Sequence, residues 1–573
     1  MLFARGAYNK LPPADRSRHR ALVPRNLECE CGRNFIGSGA ISSVLGSDAQ
    51  GNAAAGADED FLTDSLARVH AAPEDVVNWH DLSAALRVPS TLARRLAVLE
   101  DARAMQVAHP LAAYLRASFL YKQSGDAREL ARAGSALIKN GYPGRDRLLL
   151  TLVNLAWAAA LASGGNRRAF LKMLKDAGCA QALACLVADL AAAGPLLAPL
   201  DRTRPIKRVA LVAPSLGSFE HAPTALALNH AALLASMQLE VRVFSTQDMT
   251  VPHVAACIVD ADLPQFSNID VNSWKPPIAA RFDVTLADPR LAPAARWRNA
   301  LRQIARFDPD VVLFVGLMSP LLPQVYAARP LVALPVNSIA PWGPHHVWLT
   351  ADPDAEAGAD WSPDYAAGAA FRYPYRIALT PERTVLAREA LGLPQDALVL
   401  VSVGFRLQSE ICGAWAARME AFLETHPRAM WLLVGSGAQL PPALANVSTR
   451  IRALAPRRDV RAVCRACDIY VNPPRMGGGF SVLEAMADGL PVLALAGSDG
   501  GAKTGEHALA SENAYFAKLK VLARDVGARK ALGAALAARF AANYDLNMAR
   551  EPLARALALA QELFLCQGAR GNP

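Results

Sequence analysis

Residues 472–491 read NPPRMGGGFSVLEAMADGLP, and this stretch decides the fold. A strand-like run at 468–471 (DIYV) breaks at Pro473-Pro474. Gly477, Gly478 and Gly479 follow, and residues 480–487 have the spacing of a short helix ended by Gly489 and Pro491. Strand, glycine turn and helix in succession aim backbone N–H groups and a helix N-terminus at a phosphate. Glycines let the chain pass close to a ligand because no Cβ stands in the way. Glu484 falls about one turn into the helix, within reach of a sugar hydroxyl on the same phosphate. Taken alone, the turn also fits an ordinary Gly-rich βα connection with no ligand.

At 573 residues the chain is too long for one ordinary core, which predicts two or three domains. Apolar residues are 52% and charged residues 19%, which excludes a disordered chain. The net charge of +9 favours an anionic ligand or surface, yet Lys and Arg are scattered without a long run. Nucleic-acid binding has no motif behind it and is not expected. Nine cysteines, an odd number, show no disulfide framework. Cys464 and Cys467 have CxxC spacing without a second pair or a His cluster, and Cys29 and Cys31 are as unsupported, so no metal is expected. The opening MLFARGAYNK leads into polar sequence, so no signal peptide is read. Residues 148–166 (LLLTLVNLAWAAALASGGN) include Asn154, and their apolar part is shorter than the ~20 residues a membrane span needs. They read as a buried helix, and the expectation is a cytoplasmic protein.

Residues 1–58 mix Arg, Ser, Gly and Ala without periodicity and read as a flexible tail. From 59 to 200 the pattern is helical. Residues 73–86 put Pro73 just inside a helix start, with Val76, Trp79, Leu82 and Leu86 on one face. Residues 109–126 repeat this with Leu111, Leu115, Phe119 and Leu120. Both resemble degenerate tetratricopeptide (TPR) helices without a clean period. A stack of hairpins recruiting a partner and a plain helical domain both stay open.

At 205 the character changes. Residues 209–212 (VALV), a glycine loop, a helix and a strand at 239–244 open a Rossmann-type half, 205–380. Further strands are expected at 311–315, 332–336 and 348–350, with a helix at 294–307. A connecting helix at 382–391 leads into a second half, 381–535. That half alternates strand 397–403, helix 415–425, strand 430–434, the glycine-turn unit and strand 491–495. Residues 517–563 read as helical, and 536–573 as a C-terminal helix packing back on the first half. The fold class is α/β: two Rossmann-like domains facing a cleft, preceded by an all-α, TPR-like domain.

The segment 455–484, APRRDVRAVCRACDIYVNPPRMGGGFSVLE, resembles the O-GlcNAc-transferase-like family, which includes the bacterial adhesin N-glucosyltransferases. That family has an Ala-Pro-basic element, a strand with Asp and hydrophobics, and a Gly-rich turn closing on an acidic residue. Here these fall on Ala455-Pro456-Arg457, on Cys467-Asp468-Ile469 and on Glu484. The run EAMADGLPVLAL, with Gly497 and Gly500-Gly501, is also similar to the nucleotide-sugar half of group 1 retaining glycosyltransferases. These carry two glutamates where this chain has Met476 and Glu484. The resemblance covers about residues 205–560 and is clearest over the last third. It implies the GT-B fold and a nucleotide-sugar donor, a UDP-sugar first, working without metal or other cofactor.

It also implies roles for particular residues. Gly477 opens the turn, and the N–H groups of Gly478, Gly479, Phe480 and Ser481 are candidates to hold the diphosphate, the Ser481 hydroxyl adding a donor. The helix dipole favours an anion there by ~0.3–1 kcal/mol per exposed charge. Glu484 would bond ribose hydroxyls and Arg457 would stand beside the base, an exposed helix residue and an exposed loop residue being the plain alternatives. In 403–410 (VGFRLQSE) related enzymes set a Lys or Arg against the leaving phosphate. Arg406 is the cation of that loop, and Glu410 falls where the O-GlcNAc-transferase-like family has its lysine. In the first half, SFEHAP at 218–223 is similar to a family loop with an active-site histidine. His221 would take the acceptor proton or orient the sugar, and Glu220 is a second base candidate; a His lining the loop is the alternative. His345 and His346 are expected to face the cleft, and Lys503 and His507 to form a polar loop near the donor side.

The leading expectation is a glycosyltransferase moving a sugar from a UDP-sugar to a protein acceptor. One alternative is a retaining transferase of lipid-linked or surface glycan, with peripheral membrane contact consistent with the net charge. Another is an interaction protein with an inactive transferase half, for which Met476 and Glu410 speak.

Overall fold

The computed structural model describes residues 55–569, apart from 87–91, 125–126, 163–166, 177, 199, 201–203, 218–220, 249–276, 337–340, 354–367, 380–383, 438–439 and 476. The described residues fall into two compact units, the first holding the helices up to Leu155 with Asp176–Ala182, the second holding both β-sheets.

In the first unit helix Ala55–Ala71 packs on Val76–Ala85, which packs on Pro110–Ser124. Pro110–Ser124 also meets Leu92–Ala104 and Ala127–Lys139. Asp75, and not Pro73, marks the second helix start: its carboxylate accepts the Val77 N–H at 2.9 Å, while Pro73 lies in the turn before. Trp79 is fully buried against Phe119, ring centroids 5.5 Å apart, and its Nε1–H donates to the Pro73 carbonyl at 2.8 Å. Leu82, Leu86, Leu115, Phe119 and Leu120 are buried with it, so the apolar faces read from the sequence are the packed ones. Helix already begins at Ala55, inside the expected tail; residues 1–54, with Cys29 and Cys31, lie outside the described residues. The apolar run from 148 falls on helix Arg145–Ala162. Among the described residues no helix is long and apolar enough to cross a membrane.

The second unit contains two all-parallel sheets. The first is built from β1 (Arg208–Ala213), β2 (Glu240–Ser245), β3 (Asp283–Leu286), β4 (Val311–Val315), β5 (Leu331–Leu334), β6 (Val347–Thr350) and β7 (Ala369–Arg372), in the order β3-β2-β1-β4-β5-β6-β7. The second is built from β8 (Leu398–Val403), β9 (Ala429–Val434), β10 (Ile451–Leu454), β11 (Ile469–Val471) and β12 (Val492–Leu493), in the order β10-β9-β8-β11-β12. Central strands such as β4 (VVLFV) and β9 (AMWLLV) are apolar along their whole length because helices cover both faces. The strands the sequence pattern does not reveal are β3, β7 and β10, and all three lie at sheet edges. Edge strands are half-exposed, so DVTL, AAFR and IRAL lack the apolar run.

The chain's last helix, Arg550–Ala569, returns to the first half: Leu553, Ala556, Leu557 and Ala560 join the core of β1, β4 and helix Ala222–Ser236. Helix Val526–Asn543 instead puts Leu536 and Phe540 into the second core. The return therefore begins near 550 rather than 536. The crossing is pinned by the backbone, with Arg376 N donating to Tyr544 O at 3.1 Å and Leu546 N to Ile377 O at 2.9 Å. In place of the expected helix at 382–391 the described part is a 3-10 turn, Arg388–Leu391. Two open parallel sheets in series, with the last helix back on the first, make the GT-B architecture.

The second core is anchored by Trp431, fully buried, edge-on to Trp415 at 5.9 Å and donating Nε1–H to Ser402 Oγ at 3.1 Å. Replacing Trp431 by Ala is expected to cost about 3–5 kcal/mol. The loss is read as a lowered urea midpoint of tryptophan-fluorescence unfolding, with Leu96→Ala, an exposed position in the helical unit, as the unaffected control.

Candidate active site

In an open parallel sheet, ligands bind beyond the carboxyl ends of the strands where the strand order reverses. In the second sheet that point lies between β8 and β11. The loop leaving β8 holds Arg406 and Glu410, and the loop leaving β11 holds the glycine turn. The turn Gly435-Ser436-Gly437 leaves β9 beside them: a Cβ on Gly435 would stand 3.1 Å from Gly404 O.

Arg475, which the sequence reading passed over, joins these loops. Its side chain is buried, as is that of Glu410, at 2% and 4% exposure, and Nη1 donates to Glu410 Oε2 at 3.0 Å. Nε donates to Asn472 Oδ1 at 2.9 Å and Nη2 to Val403 O at 2.9 Å. The guanidinium occupies the space where Cβ atoms of Gly404 and Gly478 would be, and Gly478 has φ +77°. Both glycines are thus required by the arginine as much as by any ligand. The one signal in the sequence is an arginine between a buried strand and a glycine run.

Glu410, standing where the resembled family has lysine, also holds Arg406: Nε and Nη2 reach its Oε1 at 3.0 and 2.9 Å. Arg406 remains partly exposed, with Nη2 3.0 Å from where a Cβ on Gly477 would be, so this cation does lie at the turn. Helix Gly479–Ala487 follows, its first backbone bond running from Val482 N to Gly478 O at 3.2 Å. The N–H groups of Gly479, Phe480 and Ser481 precede that bond and have no intrahelical acceptor. The Ser481 hydroxyl corrects the expectation: it donates to Gly478 O at 3.0 Å and meets the Tyr470 hydroxyl at 2.8 Å, so its proton is engaged inside the turn. The Phe480 ring packs against the cores of both sheets. Met476 lies outside the described residues.

Glu484 is half-buried, and burial raises its carboxyl to about 7; Asp488 adds to the rise and Arg461 opposes it. Arg457 forks onto Asp459 at 2.7 and 2.6 Å, just ahead of helix Val460–Arg465, which carries Arg461. Cys464 and Cys467 are buried thiols, that of Cys467 pushed up to about 12 by burial. Among the described residues no group of three His, Cys, Asp or Glu could hold a metal ion. His507 stands 3.7 Å from Glu506, and Lys503 lies buried against Gly479.

In the first sheet the order reverses between β1 and β4, and the loops there touch: a Cβ on Gly316 would be 2.8 Å from Pro214 Cδ. His221 sits at this end, at the start of helix Ala222–Ser236. Its Nδ1 is 2.8 Å from Thr224 Oγ1, which accepts the Gly217 N–H at 2.8 Å. Burial pulls its pKa down to about 4, so it is neutral at pH 7 and a weak base, suited to hydrogen bonding more than to full proton uptake. Glu220 lies outside the described residues. His345 and His346 precede β6 at the amino end of the sheet, away from the strand ends where ligands bind. Both are buried and engaged, His345 Nδ1 with Gly343 O at 2.9 Å and His346 with Leu331 N at 3.0 Å and Gln567 Oε1 at 3.1 Å.

Residues 409–525 match the family described as Glycosyl transferases group 1. Those residues form a group 1 glycosyltransferase domain. The span takes in Glu410, Arg475, the glycine turn, Glu484 and Lys503. Among curated proteins none matches the chain. Among solved structures, a mutant O-GlcNAc transferase of Thermobaculum terrenum is similar at 18% identity, covering 89% of this chain and 99% of its own, with a TM-score of 0.45. Sucrose-phosphate synthase of Thermosynechococcus elongatus is similar at 13% identity over 63% of this chain and 100% of its own, TM-score 0.41. A glycosyltransferase of Rickettsia africae is similar at 12% over 63% and 99%, TM-score 0.42.

Two outcomes follow for the glycosyltransferase domain. Glu410→Lys, which installs the resembled family's residue, sets a third cation against Arg475 and Arg406 and is expected to destabilise the fold by about 3–5 kcal/mol. Urea unfolding measures this; an unchanged midpoint would show that the pair does not tie the loops. If the Glu484 carboxylate accepts ribose hydroxyls, nucleotide binding needs it ionised, so affinity rises with pH, by about tenfold from pH 6 to 8 for a carboxyl near 7. Calorimetry across that range, with Glu484→Gln giving a flat profile, is the check. The same raised carboxyl works against the fold at higher pH: its contribution to stability is present below the ordinary carboxylate range and lost as pH rises through 7.

Proposed function

We propose that this chain transfers a sugar from a nucleotide-sugar, a UDP-sugar first, to a polypeptide acceptor. The observation that carries the reading is the convergence at one switch point: an open helix N-terminus on a glycine turn, a partly exposed arginine beside it, and a carboxyl one turn further on. The diphosphate would lie on the N–H groups of Gly479, Phe480 and Ser481, which supply fixed dipoles where leaving-group charge develops. Arg406 would add a cation at Gly477, and its bond to Glu410 holds it there without closing it off. Glu484 would accept the ribose hydroxyls, and Arg457 would stand near the base. From the first half, neutral His221 would orient the acceptor or the sugar. The helices of the first unit pack on one another, and a polypeptide recruited on them, as on stacked helical hairpins, would be the acceptor.

The group 1 match over 409–525 favours a second reading, a retaining transferase that extends lipid-linked or surface glycan at the membrane face. The anomeric configuration of the product separates the two once an acceptor is found.

The test is a thermal-shift and hydrolysis panel of the full-length chain against UDP-, GDP-, ADP- and CMP-sugars. Selective stabilisation by the UDP-sugars with slow release of sugar is expected. No shift with any of the four would leave the glycine turn a structural element and remove the transferase reading.

A further inference from the structure

We propose, resting on the donor-site reading above, that Asp499 selects the transferred sugar by accepting hydrogen bonds from its hydroxyl groups. The carboxylate lies in the site itself: Oδ2 stands 2.5 Å and Cγ 3.1 Å from the Cβ position of Gly479. Gly479 is the first residue of the helix whose N–H groups would hold the phosphates, and the place is open to Asp499 because residue 479 has no side chain. The Asp499 side chain is 25% exposed. Among the described residues no hydrogen bond reaches either of its oxygens, and Lys503 Nζ stays 4.0 Å from Oδ1, beyond hydrogen-bond length. An ionised carboxylate accepts only, at about four lone-pair sites. It repels a diphosphate, so the part of the donor it suits is the one that brings hydrogen-bond donors, the sugar.

The strand order points the same way. Along β10-β9-β8-β11-β12 the loops at the carboxyl ends carry in turn Arg457, the Gly435-Ser436-Gly437 turn, Arg406, the glycine turn and Asp499. A nucleotide-sugar is linear: base, ribose, diphosphate, sugar. With the base beside Arg457 and the diphosphate on the turn after β11, the group that follows falls at the next loop, the one after β12. Asp499 is the first charged residue of that loop.

The backbone under the carboxylate is held in place. Ser498 Oγ accepts the Gly501 N–H at 2.9 Å and donates to Leu495 O at 2.7 Å, which sets the turn ahead of helix Asp499–Thr504. Gly500 and Gly501 seat that helix on the strand ends: a Cβ on Gly500 would stand 2.6 Å from Asn472 Nδ2, and one on Gly501 would run into Leu495 O. At the other end Arg539 Nε donates to Lys503 O at 2.8 Å. A short side chain on a fixed backbone discriminates by position. A hydroxyl that reaches it is held, and a sugar without one at that place leaves the carboxylate unpaired.

Calorimetry on the full-length chain with UDP, UDP-glucose, UDP-galactose and UDP-N-acetylglucosamine tests the assignment. Asp499→Ala is expected to weaken the UDP-sugar that the wild type binds most tightly by about tenfold or more relative to UDP. UDP itself is expected to bind as before or more tightly, because a negative charge has left the site. Asp499→Asn keeps the shape and one acceptor oxygen and is expected to fall between the two. It makes the same comparison if the alanine variant melts below the wild type without ligand. A ratio of UDP-sugar to UDP affinity that Asp499→Ala leaves unchanged, an equal loss of both, or a wild type that binds UDP and none of the three sugars overturns the inference alone. A wild-type chain that binds no UDP overturns the donor-site reading and this inference with it.

Discussion

The ion pair between Arg475 and Glu410 is the constraint on which the carboxyl end of the second sheet depends. Both side chains are buried, and a buried charge that loses its partner costs several kcal/mol, so neither loop can move off without the other. The pair ties the loop after β8 to the loop after β11, across the point where the strand order reverses. It requires glycine at 404 and 478, where the guanidinium fills the space of a side chain. Through its other oxygen Glu410 aims Arg406 at the turn. The glutamate that replaces the resembled family's lysine is therefore a different construction of the same edge, with arginines supplying the cations from two directions.

Around that edge the fold follows from burial. Strands covered on both faces are apolar throughout, and helices between them bring one apolar face to the sheet. The return of helix Arg550–Ala569 to the first core, while Val526–Asn543 stays on the second, makes the segment near Tyr544 the crossing between the halves. The ring of the same tyrosine lies 6.0 Å from Lys503 Nζ and its hydroxyl reaches the Ala502 carbonyl at 3.4 Å, so helix Asp499–Thr504 and the crossing share a residue.

Much of this was legible in the sequence. The central strands, the glycine turn and the helical character before 200 were readable because periodicity and glycine placement are local. Edge strands β3, β7 and β10 were not, since half-exposure removes their pattern. Of the candidate site, the N–H groups of the turn, Glu484 and Arg406 came from spacing and resemblance; the structure sets Arg406 beside Gly477, while the Glu484 carboxyl lies near Arg461 and Asp488. Arg475 is not marked by any local pattern, because its partners Glu410 and Val403 lie far off along the chain. The Ser481 hydroxyl looked free, but Tyr470 and Gly478 engage it. His345 and His346 looked placed for a cleft, but the direction of β6 puts them at its other end.

By itself the sequence determined the class of the protein: parallel α/β halves after a helical segment, with a glycine turn opening a helix in the second. Those features are written in the order of apolar residues and glycines within some twenty positions. Only the tertiary structure decided which charges meet. Glu410 and Arg475 are separated by 65 positions along the chain, and Lys503 approaches Gly479 from another helix. Nothing in their local sequence marks them as neighbours. They meet because adjacent parallel strands end at the same level, which places loops distant in sequence side by side in a region of low dielectric constant, where opposite charges must find each other.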